Sequence, residues 1–379
     1  MLKLGFIGFG RRVASLWRRY FEPTKLCTVK AIADPALDEL KEKWGEALTD
    51  CTWYTTAEEM LEKEQLDGVF IGTRCNLHTK YALLVAKYNI PLFLEKPVAI
   101  SEEELAQLET ILPIMNEKTV VSFPLRLTQY VQTVKDIVDR GLLGKVAQVQ
   151  AYNNVNYARV YYHAWYRDDS ITGGLFLQKA THDLDYINYL LGLDKPKTIC
   201  AMEGKAVFKG DKPAGVKCVD CPEYLTCTES PYHLAMYDPK YAKDDYMCCF
   251  ATDTGNQDDA TVMMQYEDGT NVVYTQNFIT RKTAGKRGAR LIGYKGTVEF
   301  DFVTQTVTYI DHLSDRVDHI KIESQSSHGG GDLRLAENFI AVMKGTDVSH
   351  SPLAEGILSA RMCLAARKSA QTKTFVELD

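Results

Sequence analysis

The sequence predicts an α/β protein with two domains, a doubly wound parallel sheet at residues 1–123 and an α+β domain with a large, mostly antiparallel open sheet at 124–379. Three observations support this prediction. The chain has 379 residues, which is too long for one ordinary core. Strand and helix patterns alternate up to about residue 123. Beyond it, long strands follow one another with few helices between them.

Short apolar runs define the elements of the first domain. Ser101 and Glu104 form a capping box, which fixes the start of one helix. The predicted strands are 2–7, 28–33, 68–72, 92–94 and 120–123, and helical patterns include 77–88 and 102–112.

The second domain is predicted from alternating strands and hairpin signals. Glu267-Asp268-Gly269 is typical of a hairpin turn. The predicted strands are 146–154, 199–207, 261–266, 271–278, 290–293, 298–301, 306–310 and 374–378, with helices at about 130–140, 333–343 and 353–370. The final helix and strand are alternatively expected to pack back on the first domain. A cysteine-containing insertion is expected at about 208–260.

Paired glycines follow the first strand and precede a helical segment. Gly8 permits a tight turn, and Gly10 has no Cβ to keep a diphosphate from the backbone. The N–H groups of a helix beginning near Arg11 would face that anion. The third fingerprint position is Val13, where Gly or Ala would pack more closely. This is the pattern of a Rossmann-type dinucleotide site, with contacts expected from Gly8, Phe9, Gly10, Arg11 and Arg12.

The second strand ends in Asp34, 24 residues after Gly10. An acid at this place accepts hydrogen bonds from the adenosine ribose hydroxyls, and its charge repels a 2′-phosphate. The sequence therefore favours NAD over NADP. A role for Asp34 as the N-cap of a helix starting at Pro35 is compatible with that reading.

Ligands of open α/β sheets lie beyond the carboxyl ends of the strands, where two polar segments are expected. Lys96 follows an apolar strand and is held by Pro97, so its ammonium should stay in the cleft. A nearby cationic nicotinamide would lower the pKa of Lys96 and make it a general base for an alcohol. The alternative is a solvated surface lysine. The further cofactor contacts expected from these segments are Thr73, Arg74, Asn76, His78, Glu95 and Lys96.

The segment 173–185 should supply the second half of the site. On a helix, Gln178, His182 and Asp185 share one face, with Lys179 and Asp183 on a neighbouring stripe. So polar a face is more typical of a cavity lining than of a core. We expect His182 to relay a proton, with Asp183 or Asp185 orienting its ring. The alternative is a structural histidine.

Residues 152–166 are dense in amphipathic rings, including Tyr157 and Trp165. Such rings bind sugar faces and hydroxyls, but they also build subunit interfaces, and the sequence leaves both open.

Four motifs together resemble the Gfo/Idh/MocA family of NAD(P)-dependent oxidoreductases, over essentially the full length. They are the glycine turn with Asn76-Leu77-His78, Glu95-Lys96-Pro97, Phe123-Pro124-Leu125-Arg126 and Leu142-Leu143-Gly144-Lys145-Val146. The resemblance implies that Lys96 is catalytic or orients substrate near the nicotinamide, and that Arg126 helps to hold substrate. A surface ion pair is the alternative for Arg126. The loop 328–332 resembles a family loop near the cleft, or is a plain turn with Asp332 as a helix N-cap.

This chain departs from the family pattern at one position. Family members carry Asp, four residues before a catalytic His, where this chain has Gln178, and an amide neither takes nor gives a proton. Lys96 and His182 then remain as the proton-handling pair, with Lys179 as a third candidate. The substrate contacts expected from this part of the argument are Lys96, Arg126, Tyr157, Trp165, Gln178, Lys179, His182 and Asp183. The family and the exposed face of a large sheet both imply a homodimer or homotetramer packed sheet to sheet.

Composition excludes several classes of partner. The net charge of −6 argues against nucleic acid, because a phosphate-tracking surface needs a basic excess. No stretch has the length needed to cross a bilayer, and the N-terminus shows no signal-peptide core, so the expected location is the cytoplasm. The ten cysteines should then be thiols or metal ligands. Cys218, Cys221, Cys227 and Cys248 suggest a structural zinc site, with Cys249 or His233 as substitute ligands, and buried free thiols are the alternative.

The predicted function is an NAD-dependent oxidoreductase acting on a secondary alcohol, or the matching ketone, of a sugar, sugar acid or cyclic polyol. Two alternatives remain open at this stage. One is a lyase- or glycosidase-like reaction that uses transient oxidation by tightly held NAD. The other is a nucleotide-responsive sugar sensor without turnover, which the replacement by Gln178 suggests.

Overall fold

The computed structural model describes residues 1–192, 195–241, 246–322 and 327–378, which form two compact units. The first unit contains Met1–Asp139, Thr181–Asp194 and Ile322–Leu364, and the second contains Arg140–Ala180, Lys195–Lys321 and Ala365–Asp379. Each unit thus gathers segments that are distant in sequence. The contiguous boundary at 123/124 stays a prediction. Residues 242–245 of the expected insertion, Asp379 and the side chain of His328 lie outside the described part.

The first unit contains a six-stranded sheet in which every pairing is parallel, as predicted. Its order is β3-β2-β1-β4-β5-β6, so the strand order reverses between β1 and β4. That reversal is where doubly wound folds bind their ligands. The strands are β1 (Leu2–Ile7), β2 (Cys27–Ala33), β3 (Thr52–Tyr54), β4 (Gly68–Ile71), β5 (Leu92–Leu94) and β6 (Thr119–Val121). The three-residue β3 was not predicted, because it is too short for a periodic pattern.

The helices flank these strands and continue through both units. In chain order the α-helices are α1 (Arg11–Leu16), α2 (Leu37–Trp44), α3 (Ala57–Lys63), α4 (His78–Ala86), α5 (Glu102–Glu109), α6 (Leu112–Met115), α7 (Gln129–Asp139), α8 (Val160–His163), α9 (Asp169–Thr172), α10 (Thr181–Leu191), α11 (Pro231–Ala235), α12 (Gly331–Met343) and α13 (Leu353–Thr372). The predicted capping box is confirmed on the side of Ser101, whose Oγ accepts a 3.2 Å hydrogen bond from the Glu104 N–H at the start of α5. In the part of the chain described, no helix combines the length and apolar character needed to span a membrane.

A column of aromatic rings crosses the first sheet and fixes α12 against it. Phe70 stacks on Phe6 and Phe93, with ring centroids 4.9 Å and 4.6 Å apart. Phe339 of α12 meets the Phe70 ring edge to face at 5.2 Å. All four side chains are buried. This packing explains why a helix from late in the chain belongs to the first unit.

The second unit contains a nine-stranded sheet, and its pairings are antiparallel except for β7 with β10, which confirms the predicted open sheet. The order is β14-β13-β12-β11-β7-β10-β9-β8-β15. The strands are β7 (Val146–Asn154), β8 (Thr198–Gly204), β9 (Asp259–Gln265), β10 (Asn271–Asn277), β11 (Lys286–Gly293), β12 (Gly296–Asp301), β13 (Thr306–Asp311), β14 (Val317–Lys321) and β15 (Val376–Glu377).

Two details of this sheet compare directly with the sequence. The predicted hairpin joins β9 to β10, and Gly269 takes a φ of +87° in its turn. The edge strand β14 was not predicted, because its side chains are mostly exposed and alternate little between apolar and polar.

Candidate functional site

The glycine turn lies at the carboxyl end of β1, beside the point where the strand order reverses. Gly8 has a φ of +80°, and a Cβ at this residue would lie 3.0 Å from the Thr73 backbone nitrogen. Gly10 is the N-cap of α1, and no side chain caps that helix. A Cβ on Gly10 would meet nothing closer than 4.0 Å. The turn therefore offers uncapped N–H groups and open space, which suits the diphosphate of a dinucleotide.

Val13 packs against the strand at a position where the fingerprint usually has a smaller residue. The larger Val13 side chain fits because the residue that faces it is Gly72. A Cβ on Gly72 would lie only 2.1 Å from Val13 Cγ2. Helix and strand thus approach closely through a glycine at the end of β4 rather than in α1. Sequence reasoning missed this role, although Gly72 follows an apolar strand and was visible as a candidate.

Asp34 is held against the glycine turn. Its Oδ2 accepts a 3.0 Å hydrogen bond from the Phe9 N–H, and its Oδ1 accepts one of 2.9 Å from the Ala36 N–H. Helix α2 begins at Leu37 with Ala36 as its N-cap, so Asp34 is not the N-cap of a helix starting at Pro35. Each carboxylate oxygen keeps a further lone pair, which is what two ribose hydroxyls require.

His78 joins the two polar loops that follow β4 and β5. Its Nδ1 lies 2.7 Å from the Pro97 carbonyl oxygen and its Nε2 lies 3.3 Å from the Thr73 carbonyl oxygen. The ring is buried, and this burial lowers the pKa of His78. A neutral ring donates one proton, and the shorter contact assigns it to Pro97. His78 therefore positions both loops, while a direct contact with a cofactor stays a prediction.

Arg12 is bound by two carboxylates. Its Nη2 lies 2.5 Å from Asp332 Oδ1, and its Nε donates to Glu95 Oε1 at 3.3 Å. Burial would lower the pKa of Arg12, but Glu95 and Asp332 raise it overall. Asp332 lies inside α12, whose N-cap is Gly330, so the alternative of Asp332 as a helix N-cap is wrong. The ion pairs tie the glycine turn to the loop after β5 and to α12.

Lys96 and the start of α10 belong to the same compact unit. Lys96 is half-buried and precedes Pro97 through a cis peptide bond. Burial raises the pKa of the Cys363 thiol, Lys96 lowers it and Asp183 raises it, so both charged groups act on one buried sulfur. The His182 ring meets the Phe123 ring edge to face at 5.9 Å. The roles of Lys96, His182 and Asp183 stay predictions.

The polar helix face was predicted with regular α spacing, but its first part differs. Residues Phe176–Ala180 form a π-helical turn, and α10 begins only at Thr181. Gln178 is buried and donates from Nε2 to the Thr172 carbonyl oxygen at 3.1 Å. Asp185 accepts hydrogen bonds from Arg126 on both carboxylate oxygens, and its role in orienting His182 stays a prediction.

Lys179, on the same π-helical turn, belongs to the second unit together with Tyr157 and Trp165. The Lys179 ammonium donates to the Tyr157 hydroxyl and lies 4.3 Å from the centre of that ring. Trp165 stacks on Tyr166 with ring centroids 3.8 Å apart. Contacts of these residues with a substrate stay predictions.

Arg126 is one of the most buried charged side chains of the first unit. It binds Asp185 on two nitrogens, and its Nη1 donates to Glu355 and to the His350 carbonyl oxygen. A cavity of about 320 Å³ lies beside this cluster. Arg126 therefore forms a buried ion pair, and the alternative of a surface ion pair is wrong. Its contact with substrate stays a prediction.

The cysteines of the second unit come near one another without forming a recognisable metal centre. Backbone hydrogen bonds from Cys218 N–H to Tyr246 and from Cys248 N–H to Val216 bring these two residues together. Burial raises the pKa of Cys218 to about 12, and Cys248, Cys227 and Cys221 add to the effect. Across the described ranges, no group of three or more His, Cys, Asp and Glu residues is arranged to hold a metal ion. The zinc site predicted at Cys218, Cys221, Cys227 and Cys248 is therefore not found, and all ten cysteines are free thiols.

Two protein-family models match nearly the whole chain. The model described as an oxidoreductase family with an NAD-binding Rossmann fold matches residues 2–123. The model described as the C-terminal alpha/beta domain of that oxidoreductase family matches residues 135–378.

The named proteins that resemble this chain have low sequence identity to it. The rhizopine catabolism protein MocA of Rhizobium meliloti is 24% identical over 213 residues, covering 55% of this chain and 62% of that protein. Myo-inositol 2-dehydrogenase of Thermotoga maritima is 24% identical over 202 residues, covering 50% of this chain and 55% of that protein. Both alignments thus span less than two thirds of the relative. A solved structure of levoglucosan dehydrogenase with NADH and levoglucosan has a TM-score of 0.75 and covers 99% of both chains at 16% identity, a likeness of fold.

Proposed function

Because the chain belongs to the Gfo/Idh/MocA oxidoreductase family, we propose that it is an NAD-dependent dehydrogenase acting on a secondary alcohol of a sugar, sugar acid or cyclic polyol, or on the matching ketone. The observation that carries the proposal is the Asp34 carboxylate hydrogen-bonded to the Phe9 N–H of the glycine turn. Through this bond, the acid proposed for the ribose lies beside the turn proposed for the diphosphate.

The glycine turn and the two loops tied by His78 would hold the cofactor. Gly8 and Gly10 give the diphosphate access to backbone N–H groups, and Asp34 accepts the ribose hydroxyls. A 2′-phosphate would meet the charge of Asp34, so NAD is favoured over NADP. When bound, NAD supplies a nicotinamide that accepts or returns a hydride.

Lys96 and His182 are the proposed proton-handling residues. Lys96 would bind the reacting hydroxyl and hold it in the cleft through its half-buried position after β5. His182 would accept the hydroxyl proton during oxidation and return it during reduction. The names of the relatives, a myo-inositol dehydrogenase and a levoglucosan dehydrogenase, support cyclic polyols and sugars as the first substrates to test.

Turnover is tested by offering sugars, inositols and uronates with NAD and following the absorbance of the reduced nicotinamide. The Lys96→Met variant should lose roughly 10² to 10⁴ in kcat/KM on the best substrate. The matched control is Lys87→Met, because Lys87 is an exposed lysine of the same unit. If calorimetry detects no NAD binding, the proposal is wrong. Binding of NAD without net NADH on any compound would instead favour a closed redox cycle or a sensor.

Cofactor choice is tested at Asp34. The wild-type chain should bind NADH more tightly than NADPH, and Asp34→Ser should reduce that ratio because the repelling charge is removed. Ser keeps a side-chain oxygen for the Phe9 N–H, which makes it the milder substitution at this turn. An unchanged ratio would contradict the role of Asp34.

We also propose a homodimer or homotetramer formed through the exposed face of the second sheet. Met202 of β8 is 66% exposed, and Met263 of the neighbouring β9 is 45% exposed. Apolar side chains on a broad sheet face are typical of a subunit interface. The double substitution Met202→Lys with Met263→Lys should shift the mass measured by light scattering to that of a monomer. A wild-type chain that is already monomeric would contradict this proposal.

A further inference from the structure

The cavity beside Arg126 lies entirely among residues of the first unit. It has a volume of about 320 Å³ and is bounded by α7, α10 and α13. A volume of this size holds a small metabolite. Among the described residues, its lining includes neither Lys96 nor His182, which are the residues proposed for proton transfer. A ligand in this cavity would therefore be distinct from the reacting substrate.

Two cations approach one aromatic ring at the wall of this cavity. The Arg126 Cζ atom lies 5.2 Å from the centre of the Tyr189 ring, and the Lys135 ammonium lies 5.7 Å from the same centre. All three residues line the cavity. Like charges raise each other's electrostatic energy, and an anion placed beside both lowers it. This wall of the cavity is therefore suited to a negatively charged group.

The carboxylates that bind these two cations differ in burial. Asp185, on two nitrogens of Arg126, has a side chain with no exposed surface, while the Glu355 side chain on Nη1 of Arg126 is 42% exposed. Lys135 pairs with Asp139, whose side chain is also largely exposed. Exposed ion pairs contribute little stability, because water screens them and two side chains must be held in place. Glu355 and Asp139 are therefore partners that a ligand can replace.

We propose that this cavity binds a small monocarboxylate with an apolar body, of the kind represented by short-chain fatty acids. The carboxylate of the ligand would take the place of Glu355 on Arg126 and would also face the Lys135 ammonium. This binding does not depend on the proposed function, because it involves neither the cofactor nor the reacting hydroxyl.

The apolar part of the lining determines the body of the ligand. Leu184 and Leu358 contribute aliphatic side chains to the cavity, and Met362 adds a thioether chain. Leu184 and Met362 are fully buried. A polyol would leave hydroxyl groups unpaired against these side chains, whereas an alkyl chain buries apolar surface there. A sugar acid is therefore disfavoured, although it also carries a carboxylate.

The charges of the wall favour one carboxylate over two. With Glu355 turned to solvent, Arg126 and Lys135 supply two positive charges and Asp185 supplies one negative charge. A monocarboxylate compensates the excess positive charge, and Asp185 would repel a second carboxylate. Because Glu355 is partly exposed, its carboxylate regains water when it leaves Arg126.

The test is calorimetry on the full-length protein without cofactor, with hexanoate as the probe and with hexanol and gluconate as comparison compounds. Hexanoate should bind, and hexanol should bind at least about tenfold more weakly because it lacks the charge. Gluconate should also bind more weakly than hexanoate, because its hydroxyl groups meet the apolar lining. Tighter binding of gluconate would overturn the proposal. So would the absence of hexanoate binding at about 1 mM in both the wild type and Glu355→Gln.

Two substitutions test the exchange of carboxylates without removing Arg126, whose loss is expected to destabilise the fold. Glu355→Gln should tighten hexanoate binding about two- to fivefold, because the competing carboxylate is removed. Lys135→Met should weaken it about three- to tenfold, while Lys87→Met, at an exposed lysine, should leave it unchanged. Equal or weaker binding in Glu355→Gln would show that Glu355 does not compete with the ligand, and would contradict the exchange.

Lys96→Met distinguishes this cavity from the proposed catalytic site. The variant should bind hexanoate as tightly as the wild type, because Lys96 is not among the described residues that line the cavity. A loss of hexanoate affinity in Lys96→Met would mean that the carboxylate binds at the reacting centre, and would overturn the proposal. The titration needs no turnover, so it still decides the question if the sugar panel gives no NADH.

Discussion

Arg126 in the first unit and Lys179 in the second are both buried cations, but their partners differ in kind. Arg126 is 2% exposed, and carboxylates of Asp185 and Glu355 neutralise it. Lys179 meets the hydroxyls of Tyr157 and Tyr161. Carboxylates are ionised at neutral pH, so the Arg126 charge is already compensated. An ordinary tyrosine hydroxyl is neutral at pH 7, so the two tyrosines contact the Lys179 ammonium through a hydrogen bond and their ring faces without neutralising it.

The contrast separates a buried cation that carboxylates neutralise from a buried cation that lies against neutral hydroxyl groups. Arg126 and Lys179 are both polar residues in otherwise packed segments, and the sequence made both of them candidate substrate contacts. The two cations differ in the charge of their partners at neutral pH, because a carboxylate is ionised there and a tyrosine hydroxyl is not. Four predictions test this difference, beginning with the largest expected effect.

Arg126→Met should cost about 3–5 kcal/mol of unfolding free energy, because it leaves the buried Asp185 carboxylate without its cation. The measurement is a denaturant unfolding curve at neutral pH. The exposed control Lys87→Met should change the value by less than about 0.5 kcal/mol. A loss at Arg126 as small as that of the control would show that the ion pair is not structural.

Titration of Asp185 should make the free energy of unfolding depend on pH. Burial raises the pKa of Asp185 to about 6, although Arg126 opposes the rise. An unfolded aspartate titrates near pH 4, so between about pH 4 and 6 the folded state binds a proton that the unfolded state has released. The contribution of this group to stability is therefore greatest below about pH 4 and falls by up to about 3 kcal/mol as the pH rises to 6. Asp185→Asn should remove that slope, and parallel curves for the two proteins would contradict the assignment.

Lys179→Met should change the unfolding free energy by no more than about 1 kcal/mol, in either direction. The substitution removes a buried ammonium and leaves behind neutral tyrosine hydroxyls rather than a buried carboxylate. Measured beside Arg126→Met under the same conditions, it gives the comparison directly. A loss as large as that of Arg126→Met would mean that Lys179 is also a structural cation.

Glu355→Gln should have the smallest effect, about 0.2–1 kcal/mol, because the Glu355 side chain is partly exposed and water screens its charge. The readout is the same unfolding curve. A larger loss would show that the outer carboxylate, rather than Asp185, compensates Arg126.

The sequence was a good guide wherever a local pattern repeats. The strands β1, β5 and β7 have the predicted bounds, and the Ser101 cap and the hairpin at Gly269 formed as expected. These features depend on residues close together in the chain, whose alternation or turn chemistry is visible directly. The strands β3 and β14 were not predicted, because β3 is too short and β14 is too exposed to show such a pattern.

The candidate site was predicted less completely. The ion pairs of Arg12 with Asp332 and of Arg126 with Glu355 join residues more than 200 positions apart, and Gly72 after β4 accommodates Val13 of α1. The π-helical turn before α10 also breaks the regular spacing on which the polar face was predicted. No local pattern encodes such contacts, since they arise only once the strands and helices have packed.

The amino-acid order by itself determined the parallel and antiparallel sheets, the glycine turn and its acid, because period, turn residues and capping act over a few neighbours. Tertiary structure decided which charges are neutralised, which hydroxyl faces a buried ammonium and whether the cysteines form a metal site. These outcomes depend on distances between remote segments and on burial, and both are properties of the packed chain.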